Sequence, residues 1–418
     1  MNILIKDATI VEESNPSIHL KIVDIAVKDG VIIKISPKIK NFKADQTLAL
    51  NNLHVSAGWL DTGISVGEPG YESRENFKNG VLTAAKSGFS TVFLNPNTDP
   101  VPDQQNAIGY LRNAALKAPI NVHPLGTLTK GARGQDLAEL FDMQRQGAIG
   151  FYDYNAPIDN PNLLKIALQY TQSFNGLVFS FPKTSKISNS GLAHEGVVAT
   201  QLGLKTDPSL SEHLQIQRDI HLLRYSGGKL HIPTISSKES VLLIKAAKKE
   251  GLDISCSVSL HHLFANESAL IDFDTNAKIT PPLRSKKDQK ALQKALLEGT
   301  IDFMTTDHNP LDIELKNLAF DHAHYGSLGL EAAFGVLNSL YTTTQAVEIL
   351  QRGYERFNLE KPSISEGHKA NLSLFDPSIE YTQTVEDLYA SSKNSLYLGA
   401  LLKGKALGTV VNEHITTI

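Results

Sequence analysis

Two carboxylates, Asp153 and Asp307, and the adjacent pair His261-His262 are the side chains of this chain best placed for metal or acid–base chemistry, because each follows an apolar, strand-like run. Paired carboxylates supply hard oxygen ligands of the kind Mg²⁺ accepts. Catalytic zinc asks for more: three protein ligands, often imidazoles, which let it lower the pKa of bound water to about 7. The run Asp61-Thr62-Gly63-Ile64-Ser65-Val66-Gly67-Glu68-Pro69-Gly70 also follows a strand-like segment, Trp59-Leu60, yet it offers glycine and an alcohol in place of nitrogen donors. Ser65 has no Gly-x-Ser-x-Gly elbow around it, and the chain carries neither a phosphate-cradling glycine loop nor a dinucleotide fingerprint. His322-Ala323-His324 has the spacing of a metal pair but falls in an expected loop and reads as a surface pair. Cys256, within the alternating run Ile254–Val258, reads as a small core residue, and Asn95 and Asn97, set among prolines, read first as turn formers.

Such groups can cooperate only if strands end at a common mouth. Eight apolar runs qualify as strands, beginning near Trp59, Thr91, Ile120, Ala148, Leu177, Lys229, Asp253 and Ile301. Helical stretches fall between them, among them 75–86, 136–146, 212–225, 238–249 and 286–298; in the last, Ala291, Leu292, Ala295 and Leu296 recur at helical spacing. Strand–helix alternation of this length predicts a parallel barrel, whose chemistry belongs at the C-terminal strand ends. Those ends carry Gly63, Ser65, Asn95, Asn97, Asp153, Phe181, Thr234, His261 and Asp307. Both chain ends read differently, as short β-branched strands with a strong hairpin signal at Asp29-Gly30 and an interruption of the first strand at Lys6-Asp7. The expected fold class is therefore α/β: a (β/α)8 TIM-like barrel over residues 56–364, with a small β-sandwich domain formed by both termini, 1–55 and 365–418. Segment 183–191 reads as an exposed loop.

Several phrases follow one another in a definite order: Glu68-Pro69-Gly70, Asn95-Pro96-Asn97-Thr98, Gly147-Ala148-Ile149-Gly150-Phe151, Lys229-Leu230-His231-Ile232, Pro281-Pro282-Leu283-Arg284, Thr306-Asp307-His308 and Gly329-Leu330-Glu331. In order and spacing the chain resembles the dihydroorotases of the amidohydrolase superfamily from about residue 55 to 335, with Leu402–Lys405 extending the likeness. The resemblance implies two zinc ions and six ligand positions. Here they carry Gly63, Ser65, Asp153, Phe181, Thr234 and Asp307, so two carboxylates remain and no imidazole does. Asp307 keeps the position that binds metal and shuttles the proton, while the arginine that clamps the substrate carboxylate is replaced by Gly67, with Asn97 retained. Thr280 and Leu311 replace a further asparagine and histidine, and Phe181 is expected to intrude on the metal space.

The implied protein is a degenerate, zinc-free dihydroorotase relative without hydrolytic activity, acting in pyrimidine biosynthesis as a structural subunit that supports aspartate transcarbamoylase. The enzyme alternative keeps the interconversion of N-carbamoyl-aspartate and dihydroorotate, or another cyclic-amide hydrolysis, with Asp307 as acid/base and an atypical metal, zinc included, at Asp153 and Asp307. A third reading is a pocket that binds a cyclic amide or acid without turnover, through Asn97, His261 and Arg284. A homo-oligomer is the expected state.

Bulk properties narrow the partners. A chain of 418 residues, 41% hydrophobic and 20% charged, can bury a large core, and a net charge of −4 gives no basic footprint for nucleic acid. No apolar run is long enough to span a bilayer, and the N-terminus reads as a strand and not as a signal peptide. A lone cysteine excludes an internal disulfide and fits a cytoplasmic location.

Overall fold

The computed structural model describes all 418 residues. Five strands open the chain: β1 (Asn2–Ile10), β2 (Ile22–Lys28), β3 (Val31–Ser36), β4 (Gln46–Leu48) and β5 (His54–Ala57). The β2–β3 turn places Asp29 and Gly30 at φ +50° and +76°, the two positive values a tight type I′ hairpin requires. The Lys6-Asp7 interruption is a bulge. Register with β2 shifts between Ile5 and Ala8, and the Asp7 amide donates to Asp24 Oδ1 at 3.0 Å.

The middle of the chain supplies β6 (Trp59–Ile64), β7 (Phe89–Leu94), β8 (Asn121–Pro124), β9 (Leu177–Phe179), a two-residue ribbon of β10 (Ala193–His194) and β11 (Thr206–Asp207), then β12 (Lys229–Ile232), β13 (Ile254–Ser259) and β14 (Phe303–Thr305). Strands β6-β7-β8 and β9-β12-β13-β14 form two parallel arcs. Helices follow β6, β7, β9, β12 and β13, the last two over Lys238–Lys249 and Lys286–Leu297, each started by a serine whose hydroxyl accepts a first-turn amide. Beyond the barrel, β15 (Asn371–Thr382), β16 (Leu401–Val411) and β17 (His414–Thr417) return to the N-terminal strands. One sheet results, in the order β17-β16-β15-β5-β1-β2-β3 with β4 beside β1, around a separate core that includes Ile3, Ile5, Ile25, Val55, Leu372 and Val410.

Three local expectations need correction. The strand expected from Ala148 shrinks to Phe151, which bridges Gly126 on one side and Val178 on the other and so joins the two arcs. It stays short because the Asp153 carboxylate turns away to accept the amides of Leu128 and Thr129, pulling the chain off the sheet after Tyr152. The helix expected over 136–146 begins only at Leu140, since Leu137 bridges Thr129. Segment 183–191 is not a bare loop: Ser185–Ser188 form a helical turn and Ser188 is buried.

Closure of the barrel between β14 and β6 falls to Asp61. Its buried carboxylate accepts from Gly63 N–H (3.1 Å), Thr305 Oγ1 (2.7 Å), Thr306 N–H (3.1 Å) and the Thr306 hydroxyl. Burial pushes its pKa up to about 6 against those hydrogen bonds. Asp61→Asn turns one acceptor into a donor facing donors. The expected cost is about 1.5 kcal/mol, read as a lower urea midpoint with unchanged slope; an unchanged midpoint would show that the seam does not depend on this carboxylate. Trp59 anchors the other side of β6, stacked 5.2 Å from Phe334 and donating to Ser56 Oγ at 2.8 Å. No helix is long and apolar enough to cross a membrane.

Candidate functional site

At the C-terminal end of the strands lies a cavity of about 20 Å³, bounded among others by Asn95, Tyr152, Tyr154, His231, Thr234 and Asp307. That holds about one water molecule, whereas pockets for small ligands run to several hundred Å³. Aromatic side chains fill the remainder. Tyr152 stacks on Phe179 at 5.3 Å and meets Tyr154 edge-on at 5.9 Å, and Phe179 in turn packs against the His231 ring at 4.7 Å. Phe181, expected to intrude, is buried in the same aromatic cluster but does not line the cavity.

The strand ends around this cavity are strained. Tyr154, Thr234 and Asp307 hold φ of +54°, +47° and +50°, a region costly for any residue with a Cβ and most of all for a β-branched one. The Thr234 hydroxyl is buried without a partner. Ser65 organises the opposite wall, accepting from Asn95 Nδ2 at 3.2 Å and Asn97 Nδ2 at 3.0 Å, with the Tyr154 hydroxyl at 3.5 Å. Gly63 leaves room that Asn95 occupies: a Cβ there would meet Asn95 Oδ1 at 3.0 Å.

The residues singled out from sequence divide here. Asp307 faces the cavity half-buried, and burial followed by the nearby Asp61 charge raises its pKa to about 8. Asn97 joins the wall through Ser65. His261 does not reach the cavity; buried, it bonds Tyr397 Oη at 2.8 Å and the Asp307 carbonyl at 3.4 Å, so it props the Asp307 backbone from behind. Burial pushes its pKa down to about 4 and keeps it neutral. Arg284 is also buried elsewhere, donating to Ser236 Oγ at 2.9 Å and the Asp207 carbonyl, with Glu212 at 3.9 Å. Asp153 is committed to Leu128, Thr129 and the Thr129 hydroxyl. Asn97, His261 and Arg284 thus do not converge on one pocket. His322 and His324 are exposed, and Cys256 is buried in the barrel core, where burial raises its thiol pKa.

Sequence reasoning missed His231 and Tyr154 as cavity residues. His231 is stacked 5.0 Å over Phe303, with its ring nitrogens on the Ser255 and Ser257 hydroxyls at 2.8 and 3.1 Å. Burial pushes its pKa down, and with both nitrogens already bonded it is a core histidine. Its inward position on β12 was the available signal.

A pair of zinc ions does not fit this donor set. No group of three histidine, cysteine, aspartate or glutamate side chains is placed to hold a metal ion, and the one carboxylate facing the cavity stands among amide, hydroxyl and phenol groups and the His231 ring, whose nitrogens are taken by serines. Chemically the arrangement can hold a proton on Asp307 and about one water beside it.

Comparison with known proteins gives a consistent picture. A family profile described as dihydro-orotase-like matches residues 54–240. The dihydroorotase of Pelotomaculum thermopropionicum is 34% identical over 422 residues, covering 99% of this chain and 98% of that protein. That of Caldicellulosiruptor saccharolyticus is 35% identical over 424 residues, with 99% and 98% covered. Among solved structures, the L-hydantoinase of Arthrobacter aurescens superposes with a TM-score of 0.84 at 20% identity, covering 99% of this chain and 95% of its own, which bears on the fold.

Proposed function

The chain belongs to the dihydroorotase family, and from that premise we propose that it serves pyrimidine biosynthesis as a zinc-free, non-catalytic member, a structural subunit with aspartate transcarbamoylase as partner. The observation that carries this reading is the size and lining of the barrel mouth: about 20 Å³, walled by Tyr152, Tyr154 and Thr234, with a single carboxylate facing it. A dihydroorotate molecule needs both volume and a cationic clamp, and neither is present beside Asp307. The substitutions fall on chemistry and spare closure. Asp61 and Glu75 remain buried, as does the Glu331 side chain, and all three are hydrogen-bonded, holding β6, the turn after it and segment 388–392 in place. A fold maintained in this way without an open mouth is suited to presenting surfaces to a partner.

Metal quantification alongside a dihydroorotate assay tests the proposal. The expected result is far less than one zinc per chain after purification with zinc supplied, and turnover no higher than that of Asp307→Ala. About two zinc ions per chain, or turnover that Asp307→Ala abolishes, would restore the cyclic-amide hydrolase reading. The subunit role has its own arm: co-expression with the transcarbamoylase of the same organism should give a complex on size exclusion, and separate elution of the two would remove that partner.

A further inference from the structure

A second concave site lies outside the barrel mouth, between the turn after β6, the Asn95–Gln104 loop and the helix Gln105–Ala115. Its volume is about 520 Å³, within the range of small-molecule pockets. The lining includes Pro69, Pro100, Val101, Pro102, Ala107 and Leu111, an apolar surface stiffened by proline rings. Tyr110 stands at the edge, 49% exposed, and its hydroxyl donates to Glu68 Oε1 at 3.2 Å. No lysine, arginine or histidine lines the pocket, while Asp103 does. Glu68 also accepts the Phe77 amide through Oε2 at 2.9 Å, and Asp103 accepts the Gly131 amide through Oδ2 at 2.9 Å, which leaves Oδ1 of Asp103 for an occupant.

We propose that this pocket binds a small amphipathic organic cation, an aromatic or aliphatic body carrying a protonated amine or guanidinium. The body seats against Pro69, Pro102 and Leu111. The charge sits against Asp103, the carboxylate that lines the pocket, beside Tyr110, whose hydroxyl is held by Glu68. Each component has its own physical reason: apolar area leaves water, a partly desolvated carboxylate pairs with the cation, and an aromatic face attracts it further. An anion of the same shape meets the Asp103 carboxylate, with only the partial charges of the first-turn amides of Gln105–Ala115 in its favour. Because the loop that forms the pocket also carries Asn95 and Asn97 to Ser65, an occupant would rest on the outer side of the wall that seals the mouth.

The full-length protein titrated with phenethylamine, 2-phenylethanol and 3-phenylpropionate, followed by ligand-detected NMR, tests the proposal. Phenethylamine should saturate at about 1 mM or below, with 3-phenylpropionate at least about tenfold weaker. The double variant Glu68→Gln/Asp103→Asn should weaken phenethylamine about tenfold and leave 2-phenylethanol unchanged. Should that variant melt early, Tyr110→Leu replaces it, with an expected loss of about threefold for the amine alone. Equal affinity for all three probes, no saturation by the amine at about 10 mM, or an amine affinity indifferent to the substitutions would each overturn the assignment.

Discussion

Gly67→Arg is expected to lower the unfolding free energy by about 4 kcal/mol, or to prevent folding outright. A Cβ on Gly67 would lie 1.9 Å from the Tyr71 carbonyl oxygen and 2.9 Å from that of Glu75, backbone atoms that cannot swing aside. The turn is tied on both sides of this residue. The Gly67 amide donates to the Glu75 carbonyl at 2.8 Å, and the Tyr71 amide donates to the Gly67 carbonyl at 2.6 Å. Glu75 in turn holds Ser391 through its amide and its hydroxyl, so a rebuilt turn disturbs segment 388–392 as well. Because Trp59 is the sole tryptophan and is fully buried, its fluorescence reports urea unfolding directly. A variant that folds with the parent midpoint would mean that the position still admits a side chain, and that the clamp arginine is one substitution away. Loss of stability would mean instead that the turn has closed over the position where the family resemblance puts that arginine. On that outcome the departure from the family reaches the backbone, and restoring a single side chain would not restore substrate recognition.

What could be read in advance follows the range of the interaction responsible. The Asp29-Gly30 hairpin and the helix Lys238–Lys249 were legible because their causes are local: two positive-φ positions, and a serine cap ahead of an amphipathic run. Barrel strands were legible as apolar runs, except the one at Ala148, which a side chain two residues past Phe151 cuts short. The role of Asp61 was not legible, since its partners Thr305 and Thr306 lie more than two hundred residues away and no local pattern announces them. Nor was the plug. Phe181 was expected to fill the mouth from its position alone, yet filling depends on volume and direction, and Tyr152, Tyr154 and Phe179 supply both. His261 shows the same limit, because ionisable type and strand-end position place a residue near a mouth without deciding whether it faces in, and Arg284, chosen for its charge, is spent on Ser236 and the Asp207 carbonyl.

Asp307→Asn is expected to stabilise the protein, by about 2 kcal/mol at pH 8 and by nothing measurable near pH 4. The folded pKa of Asp307, about 8, lies above the ordinary value of 3.8, so the folded chain holds a proton that the unfolded chain releases. Below about pH 4 both states are protonated and the group contributes nothing. As pH climbs toward 8 the unfolded state gains the advantage of ionising, and stability falls by up to ~1.4 kcal/mol per unit. Past the folded pKa the penalty is complete. Because the residue is half-buried and its cavity holds about one water, the expected penalty is set well under the full figure. Asparagine keeps the shape without the charge, and the difference between the two proteins should therefore open steadily across this window. Bound cations would invert the sign: an ionised, metal-held Asp307 would be a stabilising ligand, and its loss would lower the melting temperature most at neutral pH, where the site is fully deprotonated. Urea titrations of parent and variant at pH 4, 6 and 8 thus separate a sealed, metal-free mouth from a working metal centre without any assay of turnover. A destabilised Asp307→Asn at pH 8 would reject the zinc-free reading.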